Sequence, residues 1–313
     1  MPLPKISVVG AGQVGATTTH LLALKGLGDV TLIDIVEGLA KGKALDLTQS
    51  APVEGFPGSV VGTTDYGAMA GSRLVVITAG LARKPGMSRE DLLAANANIV
   101  GPIASQVAAV APEAVIIVVT NPLDVMVALT LQRSGFPRSR VMGMAGVLDS
   151  ARLRAFIAER LRVAPADVQA MVLGSHGDLM VPLRSTITIG GQPLGARLPA
   201  AELDQLLQRT KDGGAEIVSL LKQGSAFYAP ASSTVQMADA ILGDRHLVLP
   251  ACAWLEGEYG LRDVCIGVPV QLGARGVERI VDMPLTPEER AALMASANQV
   301  REGIKALAGM PVN

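Results

Sequence analysis

A chain of 313 residues with 49% apolar and 18% charged residues can fill one large or two medium cores and is too apolar to remain disordered. Its 27 basic and 28 acidic residues leave a net charge of -1, which excludes a long-range field that would gather nucleic acid or an anionic membrane; an arginine cluster for a small anion stays open. The two cysteines, Cys252 and Cys265, lie in no CxxC pair and at no metal spacing from a histidine, so they read as small buried apolar residues, and no metal site is expected.

The N-terminal MPLPKISVVG runs straight into a strand-like stretch without the features of a signal peptide, and no stretch of about 18 uninterrupted apolar residues follows, even around Val107 to Val119, where Pro112 and Glu113 intervene. Cytoplasmic residence without membrane contact is the expectation. Short β-branched runs then alternate with helical patterns: Ile6 to Val9, Val30 to Asp34, Ser59 to Thr63, Leu74 to Thr78, Val115 to Thr120 and Arg140 to Met142. This rhythm predicts an α/β fold, a doubly wound parallel sheet, and the uniformly apolar LVVIT and VIIVVT suit strands covered on both faces. Beyond residue 145 it changes to a helix over Leu148 to Leu161, strand candidates over Val168 to Leu173 and Val181 to Ile189, helices over Ala201 to Leu221 and Val235 to Leu242, and a last helix from Pro287 to Leu307 capped by Thr286. Two domains are therefore expected, 1–145 and a mixed α/β unit over 146–313.

Within VVGAGQVG, Gly10, Gly12 and Gly15 form GxGxxG between the first strand and a helical pattern, so that the segment Gly10, Ala11, Gly12, Gln13, Val14 and Gly15 is a candidate phosphate cradle. Glycine-rich turns without ligands are common, and Asp34 is what raises this one: it ends the second strand, where a carboxylate accepts from a ribose diol and repels the 2′-phosphate of NADP. The alternative for Asp34 is a cap on the next helix. Together these features predict a Rossmann arrangement that prefers NAD.

Further along, VTNPLDV sets Asn121 at the carboxyl edge of the sheet, either as a donor to a substrate oxygen or as a turn residue before Pro122. GVLDSARLR puts Asp149 and Arg152 on one helical face, as a working pair or a surface ion pair. GSHGD presents His176 between glycines, a turn residue or a proton carrier, while His20 and His246 read as structural. Arg83, Lys84 and Arg89 surround Pro85 and Gly86 in a basic loop that closes over an anion or is simply solvated.

The set GAGQVG, LIDIVEGLAKGKALDL, AGLARKPGMSREDL, VTNPLDV, GVLDSARLR and GSHGD, in that order over essentially the whole chain, resembles the lactate and malate dehydrogenase superfamily, and within it the malate dehydrogenases of lactate-dehydrogenase-like sequence. The resemblance implies that His176 exchanges the proton, Asp149 orients it, Arg152 clamps the C1 carboxylate, Arg89 polarises the C2 carbonyl and Asn121 holds the same oxygen or the nicotinamide side. It also implies that Arg83 meets a second carboxylate, that the small Gly224-Ser225-Ala226 stretch leaves room for it, and that Asn96, Val119, Thr120 and Asn121 line the NAD site. Malate and oxaloacetate are then the expected dicarboxylate substrates, with lactate dehydrogenase and a catalytically silent NAD binder as alternatives and a homodimer or homotetramer as the assembly.

Overall fold

The computed structural model describes residues 2–82 and 87–310. The apolar runs form β1 (Lys5–Val9), β2 (Asp29–Ile33), β3 (Val60–Thr63), β4 (Leu74–Ile77), β5 (Val115–Val118) and β6 (Val141–Gly143), all parallel in the order β3-β2-β1-β4-β5-β6. Four helices connect them: α1 (Gln13–Leu24), α2 (Leu39–Glu54), α3 (Arg89–Val110) and α4 (Leu123–Ser134). Every residue of β4 and β5 is buried, as expected of strands roofed by helices on both sides. The strand order reverses between β1 and β4, and the crevice at such a switch point is where this architecture collects ligands. By length and composition α3 could cross a membrane, but Leu93, Ala97, Val100, Ile103 and Val107 are spent in the core against β4, β5 and α4.

The second half comprises α5 (Gly146–Leu161), β7 (Val168–Gln169), β8 (Val172–Gly174), β9 (Met180–Pro182), β10 (Thr188–Ile189), β11 (Gln192–Pro193), α6 (Ala200–Leu221), α7 (Tyr228–Leu242), β12 (Leu247–Glu256), β13 (Arg262–Gly273), β14 (Gly276–Ile280) and α8 (Pro287–Ala308). Most of its strands extend the first sheet rather than forming one of their own. β12 pairs with β6 at Cys252 and Gly143, β13 pairs with β12, and β8 and β9 follow, so the parallel sheet continues into an antiparallel one.

Three expectations change here. The strand expected over Val168 to Leu173 is two: β7 joins a small three-stranded sheet with β10 and β11, and β8 joins the main sheet. The strand expected over Val181 to Ile189 stops at Pro182, which has no amide to donate, and a short turn of helix over Arg184–Thr186 follows. Helix α7 begins at Tyr228 rather than Val235, because its buried first turns use Pro230, Ala231, Ser233 and Thr234, small residues that carry little hydrophobic periodicity.

Helix α8 is capped as its sequence suggests. Thr286 accepts from the Glu289 N–H at 3.2 Å, and the Glu289 carboxylate accepts from the Thr286 N–H at 3.0 Å, two otherwise orphaned donors satisfied together. Replacing Thr286 by Ala is expected to cost about 1 kcal/mol, read as a lowered urea midpoint at unchanged m-value.

Candidate active site

At the end of β1 the chain must turn sharply into α1, and the three glycines do this in different ways. Gly10 takes φ +105, and a Cβ there would stand 2.5 Å from the Ala79 nitrogen; at Gly15 a Cβ would stand 1.8 Å from the Gly10 carbonyl oxygen. At Gly12 a Cβ would meet nothing within 4 Å, so this glycine leaves open the space in front of the turn. Gln13 is exposed and Val14 half-buried in the first turn of α1, whose N–H groups have no helical carbonyl to bond. An open turn backed by unpaired amides at a helix start fits a diphosphate.

Asp34 follows β2 and accepts from the Ala11 N–H at 2.6 Å and the Val36 N–H at 2.9 Å, so it anchors the turn. Tyr66, half-buried, stands close enough that desolvation first and the Asp34 charge second raise its phenol above the ordinary value. Ile35 and Val36, exposed directly after Asp34, add an apolar lip suited to a nucleobase. Val119 is half-buried and Thr120 buried, with its hydroxyl on the Ala79 carbonyl at 2.7 Å; Asn121 is exposed at the carboxyl edge of the sheet. Asn96 lies behind these residues. Fully buried, its amide accepts from the Leu81 N–H at 2.7 Å and donates to the Leu81 and Asn121 carbonyls at 3.1 and 2.6 Å, so it ties two loops of the crevice together and has no donor left for a ligand.

The second cluster gathers three of the expected catalytic residues from two elements. Asp149, one turn into α5, is 1% exposed, and its carboxylate accepts from His176 Nδ1 at 2.9 Å while Arg152 Nη1 lies 3.5 Å away. An ionised carboxylate only accepts, so the ring proton sits on Nδ1 and Nε2 is left to exchange a proton. Burial pushes the imidazole down, but the charge and hydrogen bond of Asp149 outweigh it, with Asp124 adding to them, and its pKa ends above the ordinary value. Burial is also the main influence on Arg152, drawing it below its usual value against the pull of Asp149. Its Nε is buried without a partner, a donor waiting for an acceptor. Gly213 and Gly214, costly inside α6, make the room: a Cβ on Gly213 would stand 3.2 Å from Arg152 Cδ.

Arg89, first residue of α3, is 69% exposed and reaches Asp178 at 2.5 Å, on the turn that carries His176. Arg83 lies outside the described residues. His246, at the other end of the antiparallel sheet, bridges Glu278 at 2.6 Å and Asp244 at 3.7 Å and takes no part in the cluster.

Two residues that no sequence spacing links to His176 support it from behind. Ser296 of α8, fully buried, accepts from the Ser175 N–H at 2.8 Å. Asp124 of α4 accepts from the His176 N–H at 2.9 Å, yet its other oxygen is buried without a partner. The signal for Asp124 is a carboxylate inside the buried run LDVMVALT.

The family model for the lactate/malate dehydrogenase NAD binding domain matches residues 4–143, and that for the lactate/malate dehydrogenase alpha/beta C-terminal domain matches residues 146–309. The chain belongs to the lactate/malate dehydrogenase family. It is an NAD-dependent oxidoreductase. A malate dehydrogenase of Roseiflexus sp. (strain RS-1) is 53% identical over 307 residues, 98% of this chain and 99% of the relative. Among solved structures, the malate dehydrogenase of Cryptosporidium parvum superposes with a TM-score of 0.96 at 43% identity, covering 98% of this chain and 100% of that one. The lactate dehydrogenase of the same organism, solved with lactic acid and β-nicotinamide adenine dinucleotide, gives 0.96 at 40% identity, covering 99% and 100%. Both family members share the whole fold, so the overall shape does not separate one activity from the other.

Burial raises the Asp124 carboxyl to about 6, the His176 N–H and Cys252 thiol opposing it. Below pH 3.8 the group is neutral in both folded and unfolded chains. As pH rises toward 6 the unfolded chain ionises first, so the folded state loses stability, by about 3 kcal/mol once the rise is complete. Urea denaturation of wild type and Asp124→Asn from pH 4 to 8 is expected to show the variant gaining on the wild type up to about pH 6 and then holding its advantage; a pH-independent difference would place the carboxyl at its ordinary value.

Proposed function

We propose that this site interconverts malate and oxaloacetate, with Asp149, Arg152 and His176 as the working cluster; the observation that carries the reading is the buried, unpartnered Arg152 Nε beside the Asp149–His176 pair. NAD, when bound, takes or supplies the hydride at the C2 carbon. His176 Nε2 donates a proton to the oxaloacetate carbonyl oxygen and recovers it from the malate hydroxyl, a task for which its raised pKa keeps the acid form available near neutral pH. Asp149 holds the ring and stabilises the imidazolium. Arg152 receives the C1 carboxylate on its planar fork, satisfying the waiting Nε.

Arg89 exchanges its Asp178 partner for the C2 oxygen as negative charge develops there, and the exposed Asn121 side chain donates to that oxygen or holds the nicotinamide side. Arg83 meets the second carboxylate, since a dianion desolvated in a closed site needs two cationic partners, and the exposed Gly224 and Ser225 between α6 and α7 leave space there. Gly10, Ala11, Gly12, Gln13, Val14, Gly15 and Asp34 hold the diphosphate and ribose, with Val119 and Thr120 beside the nicotinamide ribose and Asn96 as the brace behind them.

The domains divide at 1–145 and 146–313, between the stretches the two family models match. A homodimer or homotetramer fits the apolar side chains left outward on helices, Leu45 and Val53 of α2 and Leu220 of α6, which are 60%, 85% and 75% exposed. Cytoplasmic residence fits the two unbridged, buried cysteines.

The deciding experiment is the initial rate of NADH oxidation with oxaloacetate and with pyruvate. Oxaloacetate is expected to be strongly preferred, and Arg83→Gln to reduce that preference by about 100-fold or more; a wild type that prefers pyruvate would make the substrate a monocarboxylate, and turnover of neither would leave a silent binder. Asp149→Asn is expected to lower kcat by about 10²–10⁴. Because reduction needs the protonated imidazole and Asp149 is what raises its pKa, the fall in oxaloacetate reduction with rising pH moves to lower pH in that variant.

A further inference from the structure

The glycine-rich turn is gripped from behind at two consecutive peptide planes. In the plane from Gly10 to Ala11, the Ala11 N–H donates to Asp34 and the Gly10 carbonyl accepts from Thr78 Oγ1 at 3.0 Å. In the plane from Ala11 to Gly12, the Ala11 carbonyl accepts from Lys43 Nζ at 2.7 Å. Lys43 is half-buried in the second turn of α2, and Ala11 is fully buried.

A trans peptide is planar, with its C=O and N–H on opposite sides. The bond that draws the Ala11 carbonyl toward α2 therefore aims the Gly12 N–H the other way. Gly12 is exposed and fronted by open space, and Gln13 and Val14 follow with the first-turn amides of α1. The carbonyl of Gly12 is already turned back into the helix, accepting from the Ala16 N–H at 3.0 Å. Of the three consecutive carbonyls, Gly10 is held by a hydroxyl, Gly12 by the helix, and Ala11 by an ammonium brought from another element. A charged donor is stronger than a neutral one, and its loss leaves a buried carbonyl without a partner and its plane free to rotate.

We propose that Lys43 is a positioning residue for the cofactor: it locks the Ala11–Gly12 peptide plane so that the Gly12 N–H faces the dinucleotide's diphosphate, and its ammonium sets a positive charge behind that plane. The proposal rests on NAD occupying this turn. It assigns Lys43 to cofactor affinity and to no step at the substrate, since the residue acts from the far side of the turn through a backbone carbonyl.

The test compares Lys43→Met, which keeps the stem and removes the donor, with Lys43→Arg, which keeps charge and donor. NADH binding to the free protein is titrated by fluorescence, and KM for NADH, KM for oxaloacetate and kcat are measured alongside. In the Met variant the Kd and KM for NADH are expected to rise about 10-fold or more. At saturating NADH, kcat and the oxaloacetate KM stay within about twofold of wild type, and the Arg variant recovers NADH affinity to within about threefold. Should the Met variant fold poorly by thermal melting, Lys43→Gln, with a neutral donor, is expected to fall between wild type and that loss. The proposal is overturned if NADH affinity survives removal of the ammonium, if the loss falls equally on kcat and oxaloacetate KM, or if Arg does not rescue. A wild type that fails to bind NADH overturns instead the cofactor reading beneath it.

Discussion

A carboxylate withdrawn almost wholly from water has to be met by positive charge or by donors, and the burial of Asp149 organises everything around it. Two groups meet that demand, His176 at 2.9 Å and Arg152 at 3.5 Å, and neither is fully satisfied by doing so. The histidine has a second ring nitrogen that Asp149 does not use, and the arginine keeps an unbonded Nε. The interaction that stabilises the buried charge thus leaves an imidazole and a guanidinium side by side, the pair that the proposed reaction of a hydroxy acid with its neighbouring carboxylate requires.

Holding such a cluster steady is the work of the sheet. Asp149 and Arg152 ride on α5, entered directly from β6, while His176 leaves the end of β8. Between β6 and β8 lie only β12 and β13, paired continuously, so the two halves of the cluster are fixed to one set of hydrogen-bonded strands. The seam is close-packed where it matters: at Gly267 a Cβ would stand 2.5 Å from the Gly174 carbonyl oxygen, two residues before His176. Helices α4 and α8 complete the grip on the backbone of the histidine turn through Asp124 and Ser296.

What could be read beforehand was local in sequence. The glycine turn, Asp34 and the i,i+3 pair of Asp149 and Arg152 are short-range patterns whose spacing dictates their geometry, and the parallel strands announced themselves because burial on both faces makes a strand uniformly apolar. Asp124, Ser296 and Lys43 were invisible for the opposite reason: each meets its partner across 52, 121 and 32 residues respectively, and nothing in a single chain of letters links such positions. The three backbone partners of Asn96 are equally illegible in the sequence, because they lie 15 and 25 residues away on other loops. The long strands β12 and β13 do not stand out in the sequence, because PACAWLE and GVPVQLG mix proline, glycine and small residues into runs that lack clean alternation.

The two ends of the site use different physics, and this determines how each responds to change. At the glycine turn the peptide planes are fixed by Asp34, Thr78 and Lys43, so on the reading proposed above a substitution acts there by letting a plane turn. At the other end the corresponding element is side-chain charge, with Arg152 and Arg89 balanced against Asp149, Asp124 and Asp178. There the acids outnumber those two arginines, and Asp124 in particular stays buried with one oxygen unsatisfied. A dianionic substrate entering that field would be repelled unless further positive charge came with it. Asp149 and Asp124 favour the protonated form of His176, and in the proposed reaction that proton adds positive charge to the field. In the proposed reaction, binding of the keto acid and readiness of the acid catalyst then share one protonation equilibrium.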